Sequence, residues 1–287
     1  MTILLALLQY GKLTGSEIYV YELARELLLL GHKVTIASMA TNMSSELVGR
    51  LQSHNLKYYQ LSDVDYNDFD VIHTNQTNVT EMVRMLAPNK PVVQTVHSEI
   101  LDTYESPVDG IDHYIAVRPK IYENLVTKYG SEKVTLIYNG IDAGRFYPRP
   151  NNGEKCIIFP GTVNYLRAKA FQDVAKYMED GYKIIYIGDG WKKEGALGNA
   201  YFMKPVWDIE KVYTKATMTA SIMLGRTTIE GWMMGLPGLI YNINDKGEII
   251  SKKIQEPLND LERYRSDYMT REIVKIYEGV IYALPIL

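Results

Sequence analysis

The feature that most constrains this chain is an alternation of short β-branched runs with helical patterns, laid down once in the first half and again in the second. Such alternation specifies βαβ units and a parallel sheet. In the first half, strands are expected over 3–8, 33–37, 57–61, 71–73, 91–96, 114–117 and 134–138. A helix over 16–30 places Val20, Leu23, Ala24, Leu27 and Leu30 on one face, and Gly31 supplies a left-handed C-cap. The stretch from Arg145 to Gly153 has few core-forming residues and is expected to be an interdomain linker. The alternation then restarts, with strands over 155–159, 183–187, near 201–203, 218–222 and 238–241, and an amphipathic helical tail from 258 to about 282. Two doubly wound α/β domains follow, 1–146 and 147–257, with 258–287 as a helical segment packing back toward the first. In such folds ligands bind beyond the carboxyl ends of the strands, so a cleft between the domains is the expected site.

Composition narrows the function classes. The 287 residues suffice for two cores, and 46% hydrophobic with 23% charged residues is ordinary for a soluble globular protein. A net charge of −3 with scattered Lys and Arg gives no broad field for nucleic acid, although it leaves room for a local basic pocket. The single cysteine, Cys156, forms no internal disulfide or thiolate cluster and points to a reducing, cytoplasmic setting. The apolar start Ile3–Leu8 lacks a basic n-region and a cleavage site, so it is expected to be a buried strand. No apolar run approaches the ~20 residues of a membrane span, which leaves only peripheral membrane contact open. The 23 tyrosines against 5 phenylalanines fit an AT-rich genome or a ring-rich binding surface, the first being simpler.

The loops after strands carry the chemistry. Tyr10-Gly11-Lys12-Leu13-Thr14-Gly15-Ser16-Glu17 opens the first helix; it fits a ligand-approaching loop and a plain turn capped by Ser16 equally well. His73 and His97 each end a strand. Two histidines at successive strand ends favour a functional His97 and leave His73 divided between site and core. Neither has metal-ligand spacing, so no metal site is expected. In the second half Gly161 ends a strand with Arg167 and Lys169 within reach, a set suited to a diphosphate. Gly188 marks another strand-end turn. Gly225, Arg226, Thr227 and Thr228 open a helix whose N-terminus can hold phosphate oxygens, and Glu230 in its second turn is placed to accept hydrogen bonds from a ribose diol.

Taken in order, these loops resemble the retaining GT-B glycosyltransferases, the group that includes glycogen-synthase-like, sucrose-synthase-like and many bacterial mannosyl- and glucosyltransferases. Gly15-Ser16-Glu17 is similar to that family's acceptor-side loop, and Thr95-Val96-His97 to its strand-end histidine near the donor sugar. Asn139-Gly140-Ile141-Asp142 with Phe146 resembles its domain-junction motif, and Ile187-Gly188-Asp189-Gly190 its Val-Gly-Asp-Gly turn. Glu230 with Met234-Gly235-Leu236-Pro237 resembles the end of its Glu-x7-Glu motif. The chain departs from the family at Ile222, where the first glutamate of that motif belongs, and at Thr162, where an arginine is usual; the next basic residue is Arg167, and Arg226 is an added charge. The length is short for the fold, which suggests trimmed acceptor-side loops.

The resemblance implies a GT-B fold, two Rossmann-like domains facing across a cleft. It implies transfer of a hexose, with retention, from a nucleotide diphosphate sugar to an acceptor hydroxyl not identified by the sequence. A UDP-sugar is the favoured donor and a GDP-sugar the second choice, with no cofactor or metal required. Arg167, with Lys169 or Arg226 and the Thr227-Thr228 helix start, is expected to stabilise the departing diphosphate, and His97 to hydrogen-bond the sugar. Domain closure would exclude water. The rivals are an epimerase of the same fold, which lacks a visible pair of acid/base carboxylates, and a non-catalytic nucleotide-sugar-binding subunit, motivated by Ile222. Transfer to nucleic acid is disfavoured by the net charge without being excluded.

Overall fold

A computed structural model describes the chain apart from residues 12, 41–44, 100–104, 151–153, 191–193, 245 and 284–287. Lys12 of the first loop and 151–153 of the expected linker therefore lie outside the described residues. The chain divides into two units, 1–140 with 263–287, and 141–262. Each is built on a seven-stranded sheet.

In the first unit the strands β1 (Thr2–Leu7), β2 (Lys33–Ser38), β3 (Lys57–Gln60), β4 (Val71–Thr74), β5 (Val92–Val96), β6 (His113–Ala116) and β7 (Val134–Leu136) are ordered 3-2-1-4-5-6-7. Every pairing is parallel. A parallel sheet is covered on both faces, so its strands read as continuous apolar runs; Ile3, Leu4, Leu5, Ala6 and Leu7 are all 0% exposed. The order reverses between β1 and β4, and the loops after those two strands flank the switch point where ligands of such sheets sit.

The first helix, α1 (Gly15–Leu29), buries Val20, Leu23, Ala24 and Leu27 as the periodicity requires. Leu30 does not join them. It is the C-cap, leaves the helical path at φ −79°, ψ 2°, and is 47% exposed. Gly31 follows at φ +83°, and its N–H bonds Leu28 O at 2.9 Å while that of His32 bonds Leu27 O at 3.1 Å.

The second sheet comprises β8 (Cys156–Pro160), β9 (Lys183–Ile187), β10 (Gly195–Leu197), β11 (Ala200–Met203), β12 (Met218–Ile222), β13 (Gly238–Ile243) and β14 (Ile249–Gln255), ordered 10-11-9-8-12-13-14. Its five central strands are parallel, whereas β10 and β14 pair antiparallel at the two edges. Here the switch point lies between β8 and β12. Aromatic rings run across one face of this sheet: Phe202 stacks on Tyr186 at 5.2 Å, and Phe159 lies 6.3 Å from Tyr186 and 6.1 Å from Tyr241. Tyrosine here fills core positions that phenylalanine often takes. Its hydroxyls find partners, as Tyr186 does at Phe171 O, 2.8 Å away.

The division of the chain falls at 140/141 and 262/263 rather than at 146/147 and 257/258. Arg145 and Phe146 belong to the second unit. Phe146 is 1% exposed against Tyr213, and Arg145 bonds Trp207 O at 2.6 Å and Glu210 Oε2 at 2.7 Å. The helix α8 (Ser266–Tyr282) is part of the first unit, where Ser266 Oγ donates to Glu26 Oε1 at 3.0 Å. Gly140 ends that unit's first segment in close approach to α8; a Cβ there would sit 2.6 Å from Ser266 Cα.

Candidate functional site

In the second unit three turns leave the carboxyl ends of the neighbouring parallel strands β9, β8 and β12. Gly161, at φ +150°, donates its N–H to Ile187 O at 2.8 Å, and Val163 donates to Asp189 O at 2.9 Å. A Cβ on Gly188 would lie 2.1 Å from Gly161 O. Gly188 is thus required because two backbone turns meet there, which fixes the rim on which Gly161 sits. The helix α5 (Tyr165–Ala175) starts at the cap residue Asn164, whose Oδ1 accepts from Arg167 N at 3.1 Å. The Arg167 side chain lies back over the first turn, with Cδ 3.6 Å and Nε 3.7 Å from the position a Cβ of Gly161 would take. Gly161 and Arg167 are therefore brought together. Lys169 is exposed further round α5.

The helix α7 (Arg226–Met233) begins after Gly225, with the N–H of Thr228 bonding Gly225 O at 3.1 Å. Thr227 is half-buried. Thr228 is 0% exposed and its hydroxyl lies 2.5 Å from Ser221 Oγ, so the hydroxyl ties the helix start to β12 instead of facing a ligand. Glu230 is 4% exposed, as its apolar neighbours suggest. Its carboxylate accepts from Arg226 Nε at 2.7 Å and from Tyr213 Oη at 2.9 Å. Arg226 is consequently not an isolated cation beside the helix start; it forms an i,i+4 ion pair with Glu230. Burial and the Glu230 charge hold the Tyr213 phenol far above its ordinary pKa, so it remains a donor.

Ile222 ends β12, and Met223 after it takes φ +58°, a left-handed conformation costing a side-chain-bearing residue roughly 1–2 kcal/mol. Both of its backbone polar groups are held: Met223 N donates to Tyr241 O at 2.7 Å, and Ser221 Oγ donates to Met223 O at 3.1 Å. A strained residue this firmly anchored is a feature of functional turns.

A pocket of about 310 Å³ lies at the other end of this sheet, lined by Glu154, Cys156, Lys183, Ala200 and Lys215. Cys156, Lys183 and Ala200 are the first residues of their strands.

In the first unit Gly15 is exposed, with open space where a Cβ would stand. Ser16 is half-buried and Glu17 is 2% exposed. Thr14 Oγ1 and Ser16 Oγ both donate to Glu17 Oε2, which turns this carboxylate into its own loop. Across the switch point His97 is partly buried at the end of β5, its Nε2 3.0 Å from Asn75 Oδ1 and its ring 5.0 Å from that of Tyr19. Arg118 donates to His97 O at 2.6 Å and pairs with Glu99 at 2.7 Å. Burial, with Arg118 nearby, holds the His97 pKa down to about 3, so the ring is neutral at neutral pH.

His73, which the sequence leaves divided between site and core, belongs to the core. It is 0% exposed, with Nδ1 2.5 Å from Tyr277 Oη on α8 and Nε2 2.7 Å from Thr95 Oγ1, which is itself 3.1 Å from Tyr19 Oη. No ligand reaches it, and burial lowers its pKa to about 3.

Asn75, Arg118 and Tyr213 are not visible as site residues in the sequence. Arg118 carries one signal, Pro119 behind it, which fixes a helix start directly after β6 and so places Arg118 at a strand end. The other two act on residues 22 and 17 positions away, with no local signature.

Among the described residues, no group of three or more His, Cys, Asp or Glu is placed to hold a metal ion, and no helix is long and apolar enough to cross a membrane.

Residues 13–145 match Glycosyltransferase Family 4. No curated protein matches the chain. Solved structures share the fold over 98% of it. An alpha-glucosyltransferase in complex with UDP and a 13-mer DNA is 13% identical, with TM-score 0.58 over 93% of its own length. A TarM mutant from S. aureus, in complex with Fondaparinux, alpha-GlcNAc-glycerol and UDP, is 9% identical, with TM-score 0.64 over 94% of its length. A protein assigned as a UDP-N-acetylglucosamine 2-epimerase from Listeria monocytogenes is 12% identical, with TM-score 0.55 over 90%. The chain has the GT-B fold, and its resemblance to the glycosyltransferases of that fold holds.

Proposed function

We propose that this chain, matching Glycosyltransferase Family 4 over residues 13–145 and GT-B in fold, transfers a hexose from a nucleotide diphosphate sugar to an acceptor hydroxyl with retention. The observation that carries this is the rim of the second sheet, where Gly161 with Arg167 and the Gly225–Thr227 helix start stand at the ends of the adjacent strands β8 and β12. Arg167 and the positive end of the α7 dipole offer positive potential to a diphosphate. In this reading the leaving-group charge is met by these groups and no metal takes part.

The bond broken joins C1 of the sugar to the diphosphate oxygen, and the bond formed joins C1 to the acceptor oxygen on the same face. The departing diphosphate oxygen takes the acceptor proton, so the charge that Arg167 stabilises is also the base. A neutral His97 serves as a hydrogen-bonding group to the sugar and not as an acid. Gly15 and Ser16 are the acceptor-side groups, and Glu17 shapes their loop from inside. Glu230, if it takes a ribose diol, does so from a position braced by Tyr213 and Arg226. UDP is the favoured carrier, since two of the similar structures hold it. The net charge of −3 favours an acceptor other than nucleic acid. The lone buried thiol of Cys156 suits a cytoplasmic setting.

A second function has one observation in its favour. Ile222, where a carboxylate would face the transferred sugar, suits a subunit that binds the nucleotide sugar without turning it over. Incubating the chain with UDP-glucose and a panel of hydroxyl acceptors decides between the two. Transfer with an α-configured product from the α-donor is expected. Binding with no product across the panel supports the subunit, and a β-product excludes retention.

A further inference from the structure

We infer that Asn75 is a positioning residue that fixes His97 as its Nε2–H tautomer, so that Nδ1 accepts a hydrogen bond from a hydroxyl of the bound sugar. The inference rests on the proposed placement of His97 at the sugar.

Asn75 is 1% exposed, immediately beyond β4, and His97 stands at the same end of the neighbouring strand β5. The Asn75 amide nitrogen points to Ala6 O at 3.5 Å, which leaves Oδ1 toward His97 at 3.0 Å. Rotating the amide by half a turn would set its oxygen against the Ala6 carbonyl, two acceptors with no proton between them. A carboxamide oxygen only accepts, so the ring nitrogen opposite it carries the proton. That nitrogen is Nε2. A neutral imidazole has one N–H, and the Nδ1 lone pair is therefore the group left to serve a ligand. His97 is kept neutral by burial and by the Arg118 cation beside it.

The ring cannot readily turn to exchange the two nitrogens. Tyr19 packs against it edge-on at 5.0 Å with an interplanar angle of 81°, and Tyr19 is itself held through Thr95. Arg118 anchors the His97 carbonyl. The result is directional: His97 presents an acceptor, which selects a hydroxyl and gives nothing to an ether or carbonyl oxygen at the same place.

The test is the ring ¹⁵N spectrum of the full-length protein, which with five histidines is sparse enough to read. His97 is identified by the signal lost in His97→Gln. Wild type is expected to show a pyrrole-type Nε2 and a pyridine-type Nδ1. Asn75→Leu is expected to mix the tautomers and to lower kcat/KM about tenfold, the worth of one neutral hydrogen bond. UDP-glucose, unlike UDP, is expected to shift Nδ1 toward the hydrogen-bonded position. A protonated Nδ1 in wild type, or an unchanged tautomer in a folded Asn75→Leu protein, overturns the role of Asn75. A Nδ1 signal unmoved by bound UDP-glucose overturns the hydroxyl contact. If UDP-glucose does not bind at all, the choice of donor fails while the tautomer result stands on its own.

Discussion

Replacing Arg167 by alanine is expected to lower kcat by about 10²–10³-fold while leaving the fold intact, the loss typical of one preorganised group facing developing charge. The guanidinium stem lies over the Gly161 turn, beside the rim proposed to hold the diphosphate. The helix start does not depend on that side chain, because it is the backbone N–H of Arg167 that Asn164 caps. Thermal unfolding should therefore change little. Lysine at the same position keeps a charge but loses the planar fork, so Arg167→Lys should recover part of the rate. Steady-state kinetics with UDP-glucose measures both variants. Full kcat in the alanine variant removes Arg167 from the mechanism.

The second large effect is a loss of stability in acid. His73 and His97 are neutral in the fold, each with its pKa held down to about 3. In the unfolded chain both titrate near 6.5. Below that pH the unfolded state binds more protons than the native one, so stability falls as pH falls. The loss begins near pH 6.5 and continues to about pH 3. For the fully buried His73 it comes to about 3 kcal/mol between pH 6.5 and 4, the slope being ~1.4 kcal/mol per pH unit. His97 adds less, being partly exposed. Asp173, whose pKa its lysine and tyrosine partners hold at about 2 against the cost of burial, adds its own loss as pH falls through about 4 toward 2. Urea unfolding across this range measures the slope. In His73→Asn the slope should drop by about one proton, whatever that variant costs at neutral pH. A wild-type slope near zero would mean that His73 is not the neutral, buried group described.

The same burial explains what the sequence makes legible. Central parallel strands such as β1 and β8 are apolar on both faces and stand out as runs, Ile3–Leu7 and Ile157–Phe159. The edge strands β10 and β14 do not. β10 begins on a glycine, and β14 exposes Ile250 and Ile254 around Lys252 and Lys253, so neither forms a run or a clean alternation. The boundary near 146 is displaced because Arg145 and Phe146 look like linker residues until Trp207, Glu210 and Tyr213 supply their partners.

The candidate site divides along similar lines. Strand-end glycines are conspicuous, since a chain turning tightly out of a strand has few alternatives; Gly161 and Gly225 stand where the topology reverses. What a polar residue does once buried is decided by long-range partners. Glu230 is inferable as buried from Ile229, Trp232 and Met233, but its pairing with Tyr213 depends on α6 (Ile209–Tyr213) lying under α7. Thr228 looks like a phosphate contact and instead bonds Ser221. His73 and His97 look alike in sequence and differ because α8 brings Tyr277 to one, while Asn75 stands beside the other.

The central claim is that the second unit binds a nucleotide diphosphate sugar. Thermal unfolding of the full chain against UDP-, GDP-, ADP- and CMP-sugars, followed by mass spectrometry for loss of the sugar, addresses it most directly. A midpoint that rises with UDP-sugar concentration, as mass action requires of a ligand bound by the native state alone, is the expected result. An unchanged midpoint with all four nucleotide classes would contradict it.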